Sequence, residues 1–240
     1  MTLSYPAFVA LFFGLPIAAL ALTGPRITRT HLGAVVLLAV VTVVYATPWD
    51  NYLVARGVWT YGEGVVWRRL GYTPLSEYAI FVLQPLLIGL WFYRVVPAVR
   101  ADVGTAPFPA RPVGVGFWFA LAFFGGALLA LDPGAGYYLG ATLLWIAPML
   151  GLEWAFGGPA LWYYRREQLL AVAVPTLFLW AADWVALHLG VWSVAPALST
   201  GLAPFGLPVE EALFFLLTTV LVVHGLLLVE WVRARVAASG

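Results

Sequence analysis

Five acidic residues stand in or beside strongly apolar stretches of this sequence: Asp50, Glu77, Asp183, Glu210 and Glu211. An ionised carboxylate costs several kcal/mol near the centre of a bilayer, so an acid in such a stretch is a functional candidate by default. A carboxyl group that is kept away from water holds its proton at neutral pH and can serve as a general acid. We therefore treat these five acids as candidate catalytic groups.

The candidate acids belong to an internal repeat. Two parts of the chain match at an offset of 133 to 134 residues, and the matched pairs are Asp50 with Asp183, Gly57 with Gly190, Trp59 with Trp192, Pro74 with Pro208, Glu77 with Glu211, and Phe81 with Phe215. A single glutamate in the first turn after a proline is explained by helix capping alone. Because the acids recur at matched spacing, a shared functional site explains them better.

Aromatic residues accompany the acids at helical spacing. On a helix that starts near Pro208, Glu211 and Phe215 share one face, as do Glu77 and Phe81 in the first repeat. Aromatic faces stabilise a cation through the ring quadrupole. Acids beside rings therefore suit proton-initiated carbocation chemistry on an apolar substrate. The expected substrate-binding residues are Phe81, Phe214, Phe215, Trp59, Trp192 and Tyr78.

The composition indicates that this chemistry takes place in a membrane. Of the 240 residues, 63% are apolar and 10% are charged, and the mean hydropathy is +0.94. Soluble domains carry about 25% charged residues, so a soluble enzyme and a disordered chain both fit poorly. The net charge of +1 gives no field that would attract nucleic acid. The chain has no cysteine and its 12 basic residues are all arginine, which excludes thiol chemistry and a retinal Schiff base.

Seven apolar stretches approach the length of about 20 residues that a helix needs to cross a bilayer. The predicted spans are Leu3–Leu22, Leu32–Thr47, Pro74–Tyr93, Val113–Leu131, Tyr137–Phe156, Gln168–Leu189 and Pro208–Val229. Pro74 and Pro208 mark helix starts, whereas Pro97 and the pair Gly157-Gly158 mark helix ends. The sequence thus predicts an all-α integral membrane protein with seven transmembrane helices.

The repeat divides the chain into three parts. Spans one to three match spans five to seven, and span four links them, so the two halves have the same orientation in a parallel 3+1+3 internal repeat. We predict a first three-helix repeat over residues 1–96, a linker with transmembrane helix four over 97–132, and a second repeat over 133–240.

The arginines in the loops predict the orientation. One side of the predicted spans collects Arg26, Arg29, Arg94, Arg100, Arg111, Arg165, Arg166, Arg233 and Arg235. The other side has Arg56, Arg68 and Arg69. Because cytoplasmic loops carry the excess of basic residues, we predict a multi-pass protein of the cell membrane with its N-terminus outside and its C-terminus in the cytoplasm.

Both repeats resemble a known family. Residues 74–81 (PLSEYAIF) and 208–215 (PVEEALFF) resemble the PxE(E/D)xxF signature of the membrane-integral lycopene cyclase domain. That family comprises the heterodimer-type carotenoid cyclases of bacteria, with fused forms in archaea and fungi. Residues 49–59 and 183–192, each with an aspartate and a Gly-Val-Trp triplet, are similar to its second recurring element. The resemblance covers nearly the whole chain, with both halves fused in one polypeptide.

This resemblance implies a redox-neutral isomerisation of lycopene within membrane lipid. A carboxylic acid would protonate the end group, a neighbouring alkene would close a six-membered ring on the cation, and a carboxylate would remove a ring proton to leave a β-ionone ring. Repetition at the other end would lead through γ-carotene to β-carotene, without a metal or a cofactor. Ser76 stands where the second half has Glu210, so we expect the second half to carry the proton donor.

Other functions and the assembly state remain open at this stage. A carotenoid 1,2-hydratase would use the same acid and aromatic cage but quench the cation with water. A small-solute transporter would share the 3+1+3 plan, although it would need several polar residues facing one another in mid-span, where this sequence has few. The sequence also leaves open whether one or both ends are cyclised, whether β or ε rings form, and whether the chain forms a homo-oligomer.

Overall fold

Seven long helices make up most of the chain in a computed structural model that describes residues 3–25 and 27–240. Within these residues, the helices long and apolar enough to cross a membrane are α1 (Tyr5–Thr23), α2 (Arg29–Ala55), α3 (Leu75–Val95), α4 (Ala110–Leu131), α5 (Tyr137–Tyr163), α6 (Arg165–His188) and α7 (Val209–Ser239). The predicted all-α membrane fold with seven spans is confirmed. Arg26, which entered the prediction of orientation, lies outside the described residues.

Three helices extend well beyond the predicted spans, and one of them, α7, continues past Val229 to Ser239. Helix α2 continues to Ala55, which places Asp50 inside the helix. Helix α5 continues to Tyr163, so the prediction that Gly157-Gly158 ends this span is wrong. The backbone leaves helical geometry at Gly157 (φ −133°, ψ 26°), two residues before Pro159, and the helix is kinked there rather than ended. Leu228 of α7 packs so closely on Gly157 that no side chain would fit.

Helices α3 and α7 form the centre of the molecule. About half of the residues in the most apolar stretch of α3 and of α7 are buried, compared with 17% of those in α1 and in α4. Helix α3 contacts α1, α2, α6 and α7, and α7 also contacts α2, α5 and α6. Helix α4 packs along α5, where a Cβ at Gly125 would lie 2.7 Å from the carbonyl oxygen of Gly140. Helices α2 and α5 both pack on α7.

Four short strands lie in the loops that follow α2 and α6. Strand β1 (Trp59–Tyr61) pairs antiparallel with β4 (Trp192–Val194), with Thr60 opposite Ser193. Strands β2 (Arg69–Leu70) and β3 (Thr73–Pro74) form a second pair just before α3. The pairing of β1 with β4 ties the loop of the first half to the loop of the second.

Each of the helices α2 and α6 is ended by a glycine with a left-handed backbone conformation. Gly57 has φ 75° and Gly190 has φ 64°, a region that a residue without a Cβ adopts at little cost. The N–H of the following valine donates to a carbonyl five residues earlier, at 3.0 Å after Gly57 and 2.9 Å after Gly190, as in a Schellman turn. The Gly-Val-Trp triplet is therefore a helix-ending turn that carries the chain into β1 or β4.

Candidate active site

A cavity between α2, α3, α5 and α7 brings together three of the five predicted acids. Asp50 comes from α2, Glu77 from the first turn of α3, and Glu211 from the first turn of α7. Five of the predicted substrate-binding residues line the same cavity: Trp59, Trp192, Phe81, Phe214 and Phe215. These three acids thus lie in an enclosure with predominantly aliphatic and aromatic walls.

Glu211 accepts two hydrogen bonds on the same oxygen. Trp59 donates from Nε1 to Glu211 Oε1 at 2.7 Å, and the Tyr138 hydroxyl donates to that atom at 2.9 Å. The glutamate is 3% exposed and Tyr138 is fully buried. Two donors stabilise the charge that forms when a carboxylic acid gives up its proton, and they leave Oε2 to carry that proton. Trp59 comes from the first half of the chain, so both halves build this site.

Glu77 has a different partner. The Tyr61 hydroxyl donates to Glu77 Oε1 at 3.2 Å. Burial raises the pKa of Tyr61 far above its ordinary value, and the negative charge of Glu77 raises it further, so Tyr61 stays protonated and remains a donor. Sequence reasoning missed Tyr61. Its position in β1, two residues after Trp59, was the available signal, but a tyrosine in a short strand is common.

Neither cavity glutamate caps its own helix through a hydrogen bond to a first-turn N–H. Glu77 and Glu211 are each the third residue of a helix that begins after a proline, where capping was the simplest explanation. The partners of both carboxylates are instead indole and phenol groups from other elements. Their side chains are therefore directed at the cavity rather than at the ends of their helices.

The two aspartates occupy different places. Asp50 is 4% exposed and lines the cavity, and its Oδ2 has no hydrogen-bond partner among the described residues. Asp183 is 1% exposed and lies behind the cavity wall, where it accepts a hydrogen bond from Trp192 Nε1 at 2.9 Å. Asp183 is thus connected to the cavity through Trp192, which lines it.

Glu210 is buried but does not line the cavity. Its Oε1 accepts hydrogen bonds from the backbone N–H of Thr200 at 2.6 Å and from the Thr200 hydroxyl at 2.7 Å. These bonds fix the loop between β4 and α7. The neighbouring Glu211 points to the cavity because successive helix residues differ by about 100° in direction.

Tyr78 also lies outside the cavity. Its hydroxyl donates to the carbonyl oxygen of Leu70 at 3.0 Å and accepts from Asn51 Nδ2 at 2.9 Å. Its ring contacts Phe81 edge-on, with 5.6 Å between the ring centroids. Tyr78 therefore supports Phe81 from behind and links the β2–β3 turn to α2.

The middle and the inner end of the cavity contain the remaining polar groups. Gln84 Nε2 donates to Thr218 Oγ1 at 3.0 Å, which joins α3 to α7. Glu153 of α5 lines the inner end, and its Oε2 lies 3.3 Å from Nδ1 of His224. His224 thus has a carboxylate beside it. The described residues contain no group of three or more His, Asp or Glu that could hold a metal ion.

Two further aromatic residues that sequence reasoning missed form a wall of the cavity. Tyr45 of α2 and Trp145 of α5 stack with 5.0 Å between ring centroids, and the Tyr45 hydroxyl donates to the Trp145 carbonyl oxygen at 2.6 Å. Neither residue falls in a repeated motif. Single aromatic residues in spans are common in membrane proteins, so only their contact across two helices identifies them.

Comparison with known proteins gives full-length similarity to one group of enzymes. A lycopene beta-cyclase of Halobacterium salinarum is 43% identical over 98% of this chain and 99% of its own length. Bifunctional lycopene cyclase/phytoene synthases of Neurospora crassa and Sporisorium reilianum are 34% and 32% identical over 92% of this chain, which corresponds to 38% and 34% of those longer proteins. No family model matches the chain. No solved structure matches it either.

Proposed function

Because the chain belongs to the lycopene cyclase family, we propose that it is a lycopene β-cyclase, an enzyme that acts on a carotenoid dissolved in the membrane. One observation carries this proposal. Asp50, Glu77 and Glu211 meet in an enclosure whose other walls are largely apolar and aromatic, within the spanning part of the molecule. That arrangement supplies an acid, a base and a cage for a cation, which are the three requirements of the reaction.

Glu211 is the proposed proton donor. Its Oε2 gives a proton to the terminal double bond of the acyclic end group, so a new C–H bond forms and a tertiary carbocation appears at the neighbouring carbon. The negative charge left on Glu211 is stabilised by hydrogen bonds from Trp59 and Tyr138, which are already in place before the reaction. Because these donors are fixed by packing, no reorganisation is needed when the charge develops.

Ring closure takes place among the aromatic walls. The next double bond of the end group attacks the cation, a carbon–carbon bond closes the six-membered ring, and the positive charge moves to a ring carbon. Phe81, Phe214 and Phe215 line this part of the cavity and offer ring faces without lone pairs that could trap the cation. Exclusion of water favours ring closure over hydration.

Glu77 is the proposed proton acceptor. Removal of a ring proton by its carboxylate restores a double bond and gives the β-ionone ring. One proton has entered and one has left, so the product is an isomer of the substrate and no electron is transferred. Asp50 lies in the same cavity with an unpaired oxygen, and it relays the proton from Glu77 back toward Glu211 for the next cycle.

We also propose the parallel 3+1+3 repeat, with halves at residues 1–96 and 133–240. Contacts between matched positions support it. Thr60 lies opposite Ser193 in the β1–β4 pair, and their hydroxyls are 2.7 Å apart. Gln84 bonds Thr218, which is its counterpart in the second half. Contacts between equivalent residues are expected near a pseudo-twofold axis, and this axis would run through the active-site cavity.

Expression in cells that accumulate lycopene tests the function. We expect membranes containing the chain to convert lycopene into β-carotene, resolved by chromatography and identified by mass and absorbance. A carotenoid 1,2-hydratase would instead give an acyclic product heavier by one water, and a transporter would leave the lycopene unchanged. The cavity favours the cyclase over a solute transporter, because only Thr42, Gln84 and Thr218 supply uncharged polar side chains, other than aromatic ones, in its middle part.

The proposed location is the cell membrane, with the N-terminus outside and the C-terminus in the cytoplasm. Eight of the nine arginines on the predicted cytoplasmic side lie within the described residues. Among them, Arg233 pairs with Glu230 at 2.8 Å near the end of α7. In this orientation the catalytic acids lie in the outer half of the bilayer. Accessibility labelling of tags at the two termini in intact cells tests this arrangement.

A further inference from the structure

A groove on the lipid-facing surface adjoins the cavity between α2 and α5. Val44 and Trp49 form part of its walls, and it shares Val41, Tyr45 and Trp145 with the cavity. Val44 is 70% exposed and Val41 is 45% exposed. In a membrane these apolar side chains face lipid tails. The groove therefore adjoins the active-site cavity along three shared residues, and its other side is open to the bilayer.

Stacked rings run from this groove into the active site. Trp49 and Trp145 have centroids 4.7 Å apart with planes at 6°, and Tyr45 and Trp145 are 5.0 Å apart at 11°. Phe214, which lines the cavity, lies 6.4 Å from Trp145 at 12°. The ring planes are thus nearly parallel from the groove to the cavity. These stacked rings give the groove an aromatic lining that suits an apolar conjugated chain.

Side chains of α2 and α5 that line the groove also contact one another. The Tyr45 hydroxyl bonds the Trp145 carbonyl, and the Tyr137 hydroxyl donates to the Tyr52 hydroxyl at 2.7 Å. Entry of an end group by this route therefore requires the Tyr45 and Trp145 side chains to move apart.

We propose that the conjugated chain of the substrate lies in this groove while its end group passes between Val41, Tyr45 and Trp145 into the cavity. This inference rests on the proposed function. Cyclisation involves only one end of a long molecule, so the remainder must lie outside the acid site, and the groove is an apolar surface that adjoins that site. The molecule withdraws into lipid and reverses before its second end reacts by the same lateral route.

Obstruction of this route gives the first test. We expect Val41→Trp to lower β-carotene formation by roughly tenfold or more at equal membrane abundance, because the larger ring fills the passage. Val36→Trp is the matched control: Val36 lies on the same helix, is 52% exposed, and lines neither the cavity nor the groove. Equal turnover by the two variants would overturn the proposed route.

Cross-linking gives a second test that does not depend on turnover. A diazirine-bearing amino acid replaces Val44 or Val36 in the Glu211→Gln variant, membranes are loaded with lycopene, and adducts are detected by mass after irradiation. We expect a severalfold excess of lycopene adduct at position 44. Equal labelling at the two positions would contradict the groove. Preferential labelling at position 44 in this variant, together with no cyclic product from the wild-type chain, would contradict the cyclase assignment alone.

Discussion

Four of the candidate carboxyl groups look equivalent in the sequence but have different hydrogen-bond partners in the structure. Glu211 accepts two hydrogen bonds on one oxygen, and Glu77 accepts one. Asp183 accepts a hydrogen bond from the indole of Trp192, and Glu210 accepts hydrogen bonds from Thr200. A carboxyl group with fixed donors gives up its proton more readily than one without them. These hydrogen-bond partners are the reason for proposing Glu211 as the proton donor.

The two adjacent glutamates of α7 provide a matched pair of variants. We expect Glu211→Gln to abolish cyclisation while the protein remains in the membrane, because the amide has no proton to give. Glu210→Gln should keep most of the turnover per folded molecule and lower thermal stability through its weaker bonds to Thr200. Pigment analysis and thermal unfolding in detergent measure the two effects. Near-normal β-carotene from Glu211→Gln would transfer the donor role to Glu77.

A variant of Phe215 tests whether the aromatic side chains of the cavity stabilise a cation. Phe215 lines the cavity one helical turn after Glu211, and leucine keeps much of its apolar volume without the ring quadrupole. Loss of about 2 kcal/mol of cation stabilisation predicts a rate lower by roughly thirtyfold for Phe215→Leu. Phe92→Leu, in the core beyond the cavity, should lower stability but not turnover. Similar turnover by both variants would identify Phe215 as a packing residue.

Among the structural elements, the Gly-Val-Trp turn after α2 positions the site most directly. Gly57 ends the helix that carries Asp50, and Trp59 follows in β1 with its indole on Glu211. The same turn after α6 connects Asp183 to Trp192. Because each turn sets the direction in which its tryptophan leaves the helix, a change of backbone angle would be transmitted to the acids.

Gly57→Ala isolates this backbone effect. No other atom lies within 4 Å of the position where a Cβ would stand, so the cost of the variant comes from its φ of 75°, about 1–2 kcal/mol for a residue with a side chain. We expect a lower unfolding temperature and reduced cyclisation. Gly33→Ala, in helical backbone of α2 with equally open surroundings, should leave both unchanged or slightly raise stability. Equal behaviour of the two variants would show that the turn tolerates another geometry.

For the whole molecule, the main feature is that the two halves complete one site. The second half contributes Glu211, whereas Trp59, Glu77 and Asp50 come from the first. The β1–β4 pair joins the halves next to this site. A three-helix half by itself lacks either Glu211, the proposed proton donor, or both Trp59 and Glu77, the proposed proton acceptor.

Division of the chain after Arg100 tests this dependence. We expect residues 1–100 and residues 101–240 to restore cyclisation when they are expressed together, because the break falls in an irregular segment between α3 and α4. Each fragment alone should be inactive even when it reaches the membrane, as measured by pigment analysis and by blotting of tagged fragments. Product from one fragment alone would show that a single half contains a complete site.

The sequence by itself determined the membrane class, the seven spans and three of the acids that meet in the cavity. These features depend on composition, on the length of apolar stretches and on repeated motifs, all of which are local along the chain. The motif glutamates and Gly-Val-Trp triplets could be recognised because two copies occur at a constant offset. Continuation of α5 through Gly157 was not predictable, since close packing on α7 holds a kinked helix where glycine and proline normally indicate an end.

Only the tertiary structure decided which residues lie in the same environment. Glu210 and Glu211 are neighbours in sequence, yet one binds a loop and the other the cavity. The contact between Tyr45 and Trp145 joins residues 100 positions apart in separate helices. The physical reason is that hydrogen bonds and ring stacking require atoms within a few ångströms of each other, a condition set by how α2, α5 and α7 pack and not by spacing along the chain.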